Sequence, residues 1–270
     1  MKTWFSIQTK QKIKRFSAKI FRRALSKQRL SIILNYHSVH PQNAYSTKPP
    51  DFLKQMEYLT GEFNIVSLPE FYRIRYDKKD LPEKLAMVTF DDGYKDNYKY
   101  AFPILNKYGI KATIFVTTGF VNDEIDITKD HIAYRGLKPL SWEQIKEMSK
   151  SGLSFGAHTH THPILTEISL ESAEKEIIQS RNVLKERLGD SIELFAYPLG
   201  QPKTFNTQII GLLKKHHFKL ACSTIWGSDN TNTDIFALHR IRIDAGDTME
   251  DFKAKVNGHW NFIRLIQALR

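Results

Sequence analysis

Cysteine is almost absent from this 270-residue sequence, which contains only Cys222. No disulfide bond can form within the chain, and a metal site built from cysteines is excluded, so any metal would be bound by histidine and carboxylate side chains. Long apolar runs are also missing. None reaches the roughly 18 residues that span a bilayer, and none resembles the apolar part of a secretory signal. These absences lead us to expect a cytoplasmic protein, attached at most peripherally to the inner face of the membrane.

Acidic residues are missing from the first 29 positions, which hold ten of the 40 Lys and Arg residues. Residues 30–270 therefore hold 30 basic against 29 acidic residues, and almost all of the net charge of +11 belongs to this N-terminal arm. Apolar residues recur in the arm at helical spacing (Ile13, Phe16, Ile20 and Ala24) and predict a basic amphipathic helix. Such a helix suits an anionic membrane surface, and the alternative is a helix packed on the domain with a solvated basic face. No nucleic-acid motif is present, so nucleic acid is not an expected partner.

Apolar segments of strand length alternate with helical segments over residues 30–270, which we interpret as one catalytic domain. Eight segments are predicted to be strands: residues 30–36, 65–68, 85–90, 112–117, 153–157, 194–197, 220–224 and 237–243. This alternation predicts a parallel α/β fold, and its number of units suits a (β/α) barrel. In such barrels the functional residues lie at the C-terminal ends of the strands.

The polar residues that follow two of these strands have the composition of a catalytic metal site. Asp91 and Asp92 directly follow the strand at 85–90, and His158 and His162 follow the strand at 153–157. One carboxylate and two imidazoles leave a coordination position open for water, and the second carboxylate is free to act as a base. The alternative is a turn after a strand together with surface histidines. His160 would face the opposite way in an extended segment, so we expect a structural role for it.

The motif Thr89-Phe90-Asp91-Asp92-Gly93, followed by His158-Thr159-x-x-His162-Pro163, resembles the polysaccharide deacetylase family with the NodB homology domain, carbohydrate esterase family 4. The resemblance covers most of residues 31–260. It implies the distorted barrel fold, with Asp91 as the general base and with Asp92, His158 and His162 as metal ligands. Zinc is the expected metal, and cobalt or nickel would suit the same ligands.

The resemblance also implies further roles. His37, at the end of the first strand, is the expected acid that protonates the leaving amine, with His239 as the alternative. The family's third motif corresponds here to Phe195-Ala196-Tyr197-Pro198-Leu199-Gly200, which lacks the arginine that usually holds the catalytic aspartate. Arg240 is favoured over Arg242 as its replacement. Leu199 is expected to donate its backbone N–H to the oxyanion, with Tyr197 beside it in the substrate site.

The expected reaction is therefore hydrolysis of an N-acetyl group on an amino sugar. The substrate would be a glycan or, because of the basic arm, a lipid-linked saccharide. Residues 123–139 form a predicted loop near the rim that we expect to contact it. The alternatives are an O-acetyl esterase or a cyclic-amide hydrolase on the same scaffold, or an inactive, membrane-attached glycan-binding protein.

Overall fold

The computed structural model describes residues 31–77, 82–129, 133–189, 192–229 and 232–268. The basic arm predicted over residues 1–29 lies outside these described residues, and its membrane contact stays a prediction. Within the described part of the chain, no helix combines the length and the apolar character needed to cross a membrane.

The described residues contain eight strands, which form one sheet: β1 Ser31–Tyr36, β2 Asn64–Ile65, β3 Leu85–Phe90, β4 Thr113–Val116, β5 Ser154–Ala157, β6 Leu194–Ala196, β7 Leu220–Trp226 and β8 Leu238–Arg242. They are all parallel, in the order β1-β8-β7-β6-β5-β4-β3-β2, and a further pairing of β1 with β3 closes the sheet. The short β2 pairs with the start of β3 at Leu85 and Ala86, whereas β4 pairs with its end at Thr89 and Phe90. Because β2 and β4 share one edge of β3, seven strands close the barrel, which confirms the predicted distorted (β/α) barrel.

Helices cover the outside of the barrel: α1 Pro49–Glu62, α2 Leu68–Tyr76, α3 Phe102–Lys107, α4 Trp142–Lys150, α5 Leu170–Leu188, α6 Thr207–Lys215, α7 Met249–Val256 and α8 Ile263–Ala268. A π-helical turn, Asn97–Ala101, runs directly into α3. Ser141 caps α4 through a reciprocal bond pair with Gln144, as its position in the sequence predicts.

The strand predicted over residues 65–68 is too long at its C-terminal end. Ser67 already caps α2, since its side chain accepts a hydrogen bond from the backbone N–H of Glu70, and Pro69 occupies the first turn. The local capping preference therefore ends the strand before Leu68, which becomes the first residue of α2.

The strands are buried on both faces, and β1 and β3 are buried throughout their length. One apolar cluster lies between the outer face of the barrel and the helices, where Leu34 and Val88 pack with Phe52 and Met56 of α1. A second cluster contains alternate strand residues such as Met87 and Phe115, together with Leu68 and Phe71 of α2. This second cluster fills the barrel interior towards the N-terminal ends of the strands. The polar site is consequently restricted to the opposite, C-terminal end.

Candidate active site

Strand register brings the predicted residues to one end of the barrel. Tyr36 pairs with Phe90 across β1 and β3, so His37 and Asp91 leave the sheet side by side, and the Asp91 N–H bonds to the Tyr36 carbonyl. Arg242 ends β8 opposite Asn35 of β1. Among the residues that the structure describes, thirteen line one cleft at this end: Asn35, His37, Asp91, Asp92, Tyr94, Ile127, Tyr134, His158, His162, Leu199, Gln201, Thr224 and Arg242.

Asp91 is buried and held by three hydrogen bonds. Arg240 donates from Nη1 to Oδ1 and from Nη2 to Oδ2, both at 2.7 Å, and Asn35 Nδ2 donates to Oδ2 at 2.9 Å. Burial alone would raise the pKa of Asp91, but the Arg240 guanidinium holds that pKa below its usual value. The carboxylate therefore stays ionised at neutral pH with a fixed orientation.

Arg240 reaches Asp91 from inside the barrel. Its Nε donates to the Ser223 carbonyl at 2.7 Å, and its guanidinium lies 5.8 Å from the centre of the Phe115 ring. The side chain is completely buried, so the strong pairing with Asp91 must offset its desolvation. Of the two arginines that the sequence offers, Arg240 makes this contact, whereas Arg242 lies at the mouth of the cleft.

Asp92, His158 and His162 present three ligand atoms that all lie within 4.8 Å of one another. The Nε2 atom of each histidine is 3.4 Å from Asp92 Oδ1. This oxygen is buried and accepts no hydrogen bond from any group that the structure describes. A buried carboxylate oxygen without a hydrogen-bond donor, close to two imidazole nitrogens, is the arrangement expected around a divalent cation. It is less well explained by direct hydrogen bonds between the carboxylate and the two imidazoles.

The protonation of the histidines agrees with a ligand role. His158 places its Nδ1 atom 2.8 Å from the Ala196 carbonyl, which assigns the proton to Nδ1 and leaves Nε2 for a metal. Burial lowers the pKa of His162 to about 4, so this side chain is neutral near pH 7. Burial would also lower the pKa of His158, but the nearby Asp92 raises it above its ordinary value. The raised pKa favours a proton on His158 Nε2, and a bound cation would take the place of that proton as the partner of Asp92.

The backbone is strained at this site. Asp92, Thr159, His162 and Leu199 have φ values of 74°, 63°, 65° and 57°, in the left-handed region that residues other than glycine rarely adopt. The Thr159 hydroxyl stabilises its turn, because it donates to the His158 carbonyl at 2.6 Å and accepts from the His162 N–H at 3.0 Å. Such strain persists only where surrounding contacts impose it, and here it aims the ligands inward.

Glu176 of α5 anchors the loop between the two ligand histidines. Its carboxylate accepts hydrogen bonds from the His160 N–H at 2.8 Å, the Thr161 N–H at 2.8 Å and the Thr161 hydroxyl at 2.7 Å. The His160 ring lies 3.0 Å from the Thr118 hydroxyl and is absent from the ligand cluster, in agreement with its predicted structural role.

His37 lies in a row of contacting aromatic rings that line the cleft. Its ring stacks on Tyr134 with 5.5 Å between centroids, and Tyr134 in turn contacts Tyr94 at 5.4 Å. Burial lowers the pKa of His37, which makes its protonated form a stronger proton donor. Tyr134 and Ile127 come from the loop at residues 123–139, so this loop forms part of the cleft, as the sequence predicts.

His239, the alternative acid, lies at the wrong end of the barrel. Its ring is 3.2 Å from Asp229, and the Asp229 N–H bonds to the carbonyl of Ser31, the first residue of β1. The start of a strand is the end remote from the site. His239 therefore cannot reach a substrate bound beside Asp91.

Tyr197 requires a correction. It is fully buried, its hydroxyl donates to the Phe236 carbonyl at 2.8 Å, and its ring stacks on Phe205 at 4.2 Å. Its hydroxyl and ring thus make their contacts within the core, and Tyr197 does not line the cleft. The predicted substrate contact is replaced by a packing role.

Leu199, by contrast, lies in the cleft with 42% of its surface exposed. Within the part of the chain that the structure describes, no group accepts a hydrogen bond from its backbone N–H. Gly200 follows with φ 61°, and a Cβ atom there would lie 2.7 Å from the Thr224 backbone nitrogen, so the turn requires glycine. The turn thus presents a donor to the cleft.

Asn35, Tyr94, Tyr134 and Glu176 were not identified by the sequence reasoning. Of these four, only Asn35 carries a signal in the sequence, because a polar residue within an otherwise apolar strand indicates a specific role. The other three act through contacts between distant segments, for which the sequence carries no local pattern.

Comparison with known proteins agrees with this geometry. The polysaccharide deacetylase family profile matches residues 78–221, more than half of the chain. The poly-beta-1,6-N-acetyl-D-glucosamine N-deacetylase of Staphylococcus aureus is 28% identical over 245 residues, covering 80% of each protein.

Two solved structures share the fold over nearly their whole length. The deacetylase PplD of Streptococcus pyogenes, determined in complex with acetate, gives a TM-score of 0.72 at 28% identity, covering 84% of this chain and 98% of PplD. IcaB of Ammonifex degensii gives 0.74 at 27% identity, covering 87% and 98%. The barrel, its cluster of candidate metal ligands and the family match lead to one conclusion: this chain belongs to the polysaccharide deacetylase family and is a hydrolase.

Proposed function

We propose that this protein removes N-acetyl groups from an amino-sugar polymer in a metal-dependent reaction. The observation that carries the proposal is the position of Asp91. It is an ionised carboxylate, held by Arg240 and Asn35, next to a ligand cluster formed by Asp92 and two histidines. A ligand cluster beside a separate, fixed base is the arrangement that hydrolysis by activated water requires.

A divalent metal held by Asp92, His158 and His162 would supply Lewis acidity, which acidifies a water molecule and polarises the amide carbonyl. Asp91 accepts a proton from the attacking water. The Leu199 N–H donates a hydrogen bond to the oxygen that becomes negatively charged. His37 donates a proton to the leaving nitrogen, so that the C–N bond breaks to give acetate and a free amine. Zinc is the first metal to test, with cobalt and nickel next.

The relatives guide the choice of substrate. The Staphylococcus aureus relative is named for a β-1,6-linked N-acetylglucosamine polymer, and PplD was solved with acetate, the product of a deacetylation. We therefore place an N-acetylglucosamine polymer ahead of a lipid-linked saccharide. An O-acetyl ester, a cyclic amide and simple glycan binding without turnover are the other outcomes of the test.

The test measures acetate and free amine released from N-acetylglucosamine oligomers by the metal-loaded protein and by its Asp91→Asn variant. We expect release by the wild type and a loss of at least about a hundredfold in the variant. Metal content is measured in both proteins, because the Asn side chain should leave the three ligands intact. Release of acetate from esters but not from amides would overturn the N-deacetylase assignment. Turnover that the variant retains would remove Asp91 from its role as base.

A further inference from the structure

The cleft continues beyond the ligand residues. Ile127 and His162 line the hollow that contains Asp91, and they also line an adjoining hollow formed with Ile125, Asp126, Lys129 and Thr161. A sugar at the ligand cluster would therefore have a second hollow beside it, with Ile127 and His162 shared between the two. The charge of the groups that face a neighbouring sugar then affects binding.

Arg242 faces this cleft from the last residue of β8, and 65% of its side chain is exposed. Its Nε and Nη2 atoms each lie 2.7 Å from Asp244 Oδ1. Both contacts use one edge of the guanidinium, so Asp244 does not occupy the Nη1 group. The side chain is thus held in place at the lining of the cleft.

A buried cation supports this arrangement. Lys255 of α7 is completely buried and donates from Nζ to Asp244 Oδ2 at 3.1 Å, to the Arg242 carbonyl at 3.0 Å, and to Asp247. The ring centres of Trp226 and Trp260 lie 5.5 and 5.1 Å from the same ammonium group. Asp244 is consequently shared between two cations, and it does not itself line the cleft.

The other charged groups that line the hollow around Asp91 each have a defined partner or role. Among its described lining residues, Asp91 is paired with Arg240, and Asp92 belongs to the metal-ligand cluster. Apart from the histidines, Arg242 is the further charged group among the described lining residues of this hollow, and its partner Asp244 does not line the cleft; Asp126 and Lys129 line the adjoining hollow instead.

We propose that Arg242 selects the sugar next to the reacting unit by its charge, favouring a neutral or anionic unit and disfavouring one with a free ammonium group. This inference rests on the proposed N-deacetylation. The amine released by that reaction is a base whose protonated form is an ammonium group, so each deacetylated unit in that form lowers the reactivity of its neighbour. The enzyme then spaces its reactions along the polymer.

Two oligomers test the inference: one fully N-acetylated, and one in which the unit beside the reacting sugar is glucosamine. We expect the wild type to prefer the fully acetylated oligomer about fivefold in kcat/KM, a size that like charges near a protein surface produce. The ratio should approach one in Arg242→Gln and invert in Arg242→Glu. In the wild type it should shrink in about 0.5 M salt, at which exposed charges are screened. Arg187→Gln, the same charge change on α5, is the matched control and should keep the wild-type ratio.

Calorimetric binding of both oligomers to Asp91→Asn and to Asp91→Asn/Arg242→Glu supplies a readout that needs no turnover. Equal discrimination with and without the Arg242→Glu change would overturn the inference, even if acetate release establishes the deacetylase. Absence of acetate release from every oligomer would instead overturn the proposed function, while the binding ratio would still report on Arg242.

Discussion

Arg240 and Asp91 form a two-bond ion pair inside the barrel, with Nη1–Oδ1 and Nη2–Oδ2 both at 2.7 Å. The two residues are 149 positions apart and both are buried. The pair fixes the direction of the carboxylate and keeps it ionised. It also makes the proposed base and the stability of the barrel depend on each other.

Replacing Arg240 by Met should therefore affect both properties. The change leaves Asp91 charged, buried and without its main partner, which typically destabilises a protein by about 3–5 kcal/mol. Urea unfolding measures this loss, and we expect acetate release to fall as well. The double variant Arg240→Met/Asp91→Asn should recover most of the stability while staying inactive. If the double variant is as unstable as Arg240→Met, packing rather than charge explains the effect.

His37→Gln should slow the hydrolysis of substrates whose leaving group needs a proton and spare those whose leaving group does not. An amine must be protonated as it leaves, whereas 4-nitrophenolate leaves unassisted, so the variant should lose amide hydrolysis and keep most of its hydrolysis of 4-nitrophenyl acetate. Steady-state rates on the two substrates give the comparison. His239→Gln is the control at the opposite end of the barrel and should change neither rate. An equal loss on both substrates would mean that His37 supports the site without acting as the acid.

Glu176→Ala should weaken metal binding without touching a ligand. The change removes the carboxylate that accepts hydrogen bonds from the His160 and Thr161 N–H groups, so the loop that carries His162 loses its anchor. Changes to groups that orient ligands commonly lower metal affinity about 10–100-fold, and competition with a chelator measures this. Glu171→Ala, an exposed position on the same helix, is the control. Unchanged affinity in Glu176→Ala would contradict the anchoring role.

Asp96 should make stability depend on pH. Burial raises its pKa from 3.8 to about 7, although the Ser38 hydroxyl donates to it. Between these values the folded protein holds a proton that the unfolded chain has lost, so this group lowers the free energy of unfolding as pH rises, by up to about 4 kcal/mol. Asp96→Asn should remove that dependence, and the variant should gain stability relative to the wild type from about pH 4 to about pH 8. If the free energies of unfolding of the two proteins change with pH in parallel, Asp96 is not the source of the pH dependence.

The sequence alone was sufficient for the fold and for the central cluster. Strand segments such as Leu85–Phe90 are recognisable from their own residues, and alternation with helices indicates a parallel barrel. Because the ends of parallel strands meet at one edge, the positions of Asp91, Asp92 and His158 after their strands are enough to predict that they lie together. The end of β2 was misjudged, since the cap at Ser67 competes with the apolar pattern.

The tertiary structure decided what those strand ends contact. It selected Arg240 over Arg242 for Asp91, placed His239 at the far end, moved Tyr197 into the core, and brought Tyr134 onto His37. The physical reason is that a strand pattern depends on neighbours in the chain. Which side chains meet inside the barrel depends instead on how strands far apart in sequence close and align, and no local pattern records that register.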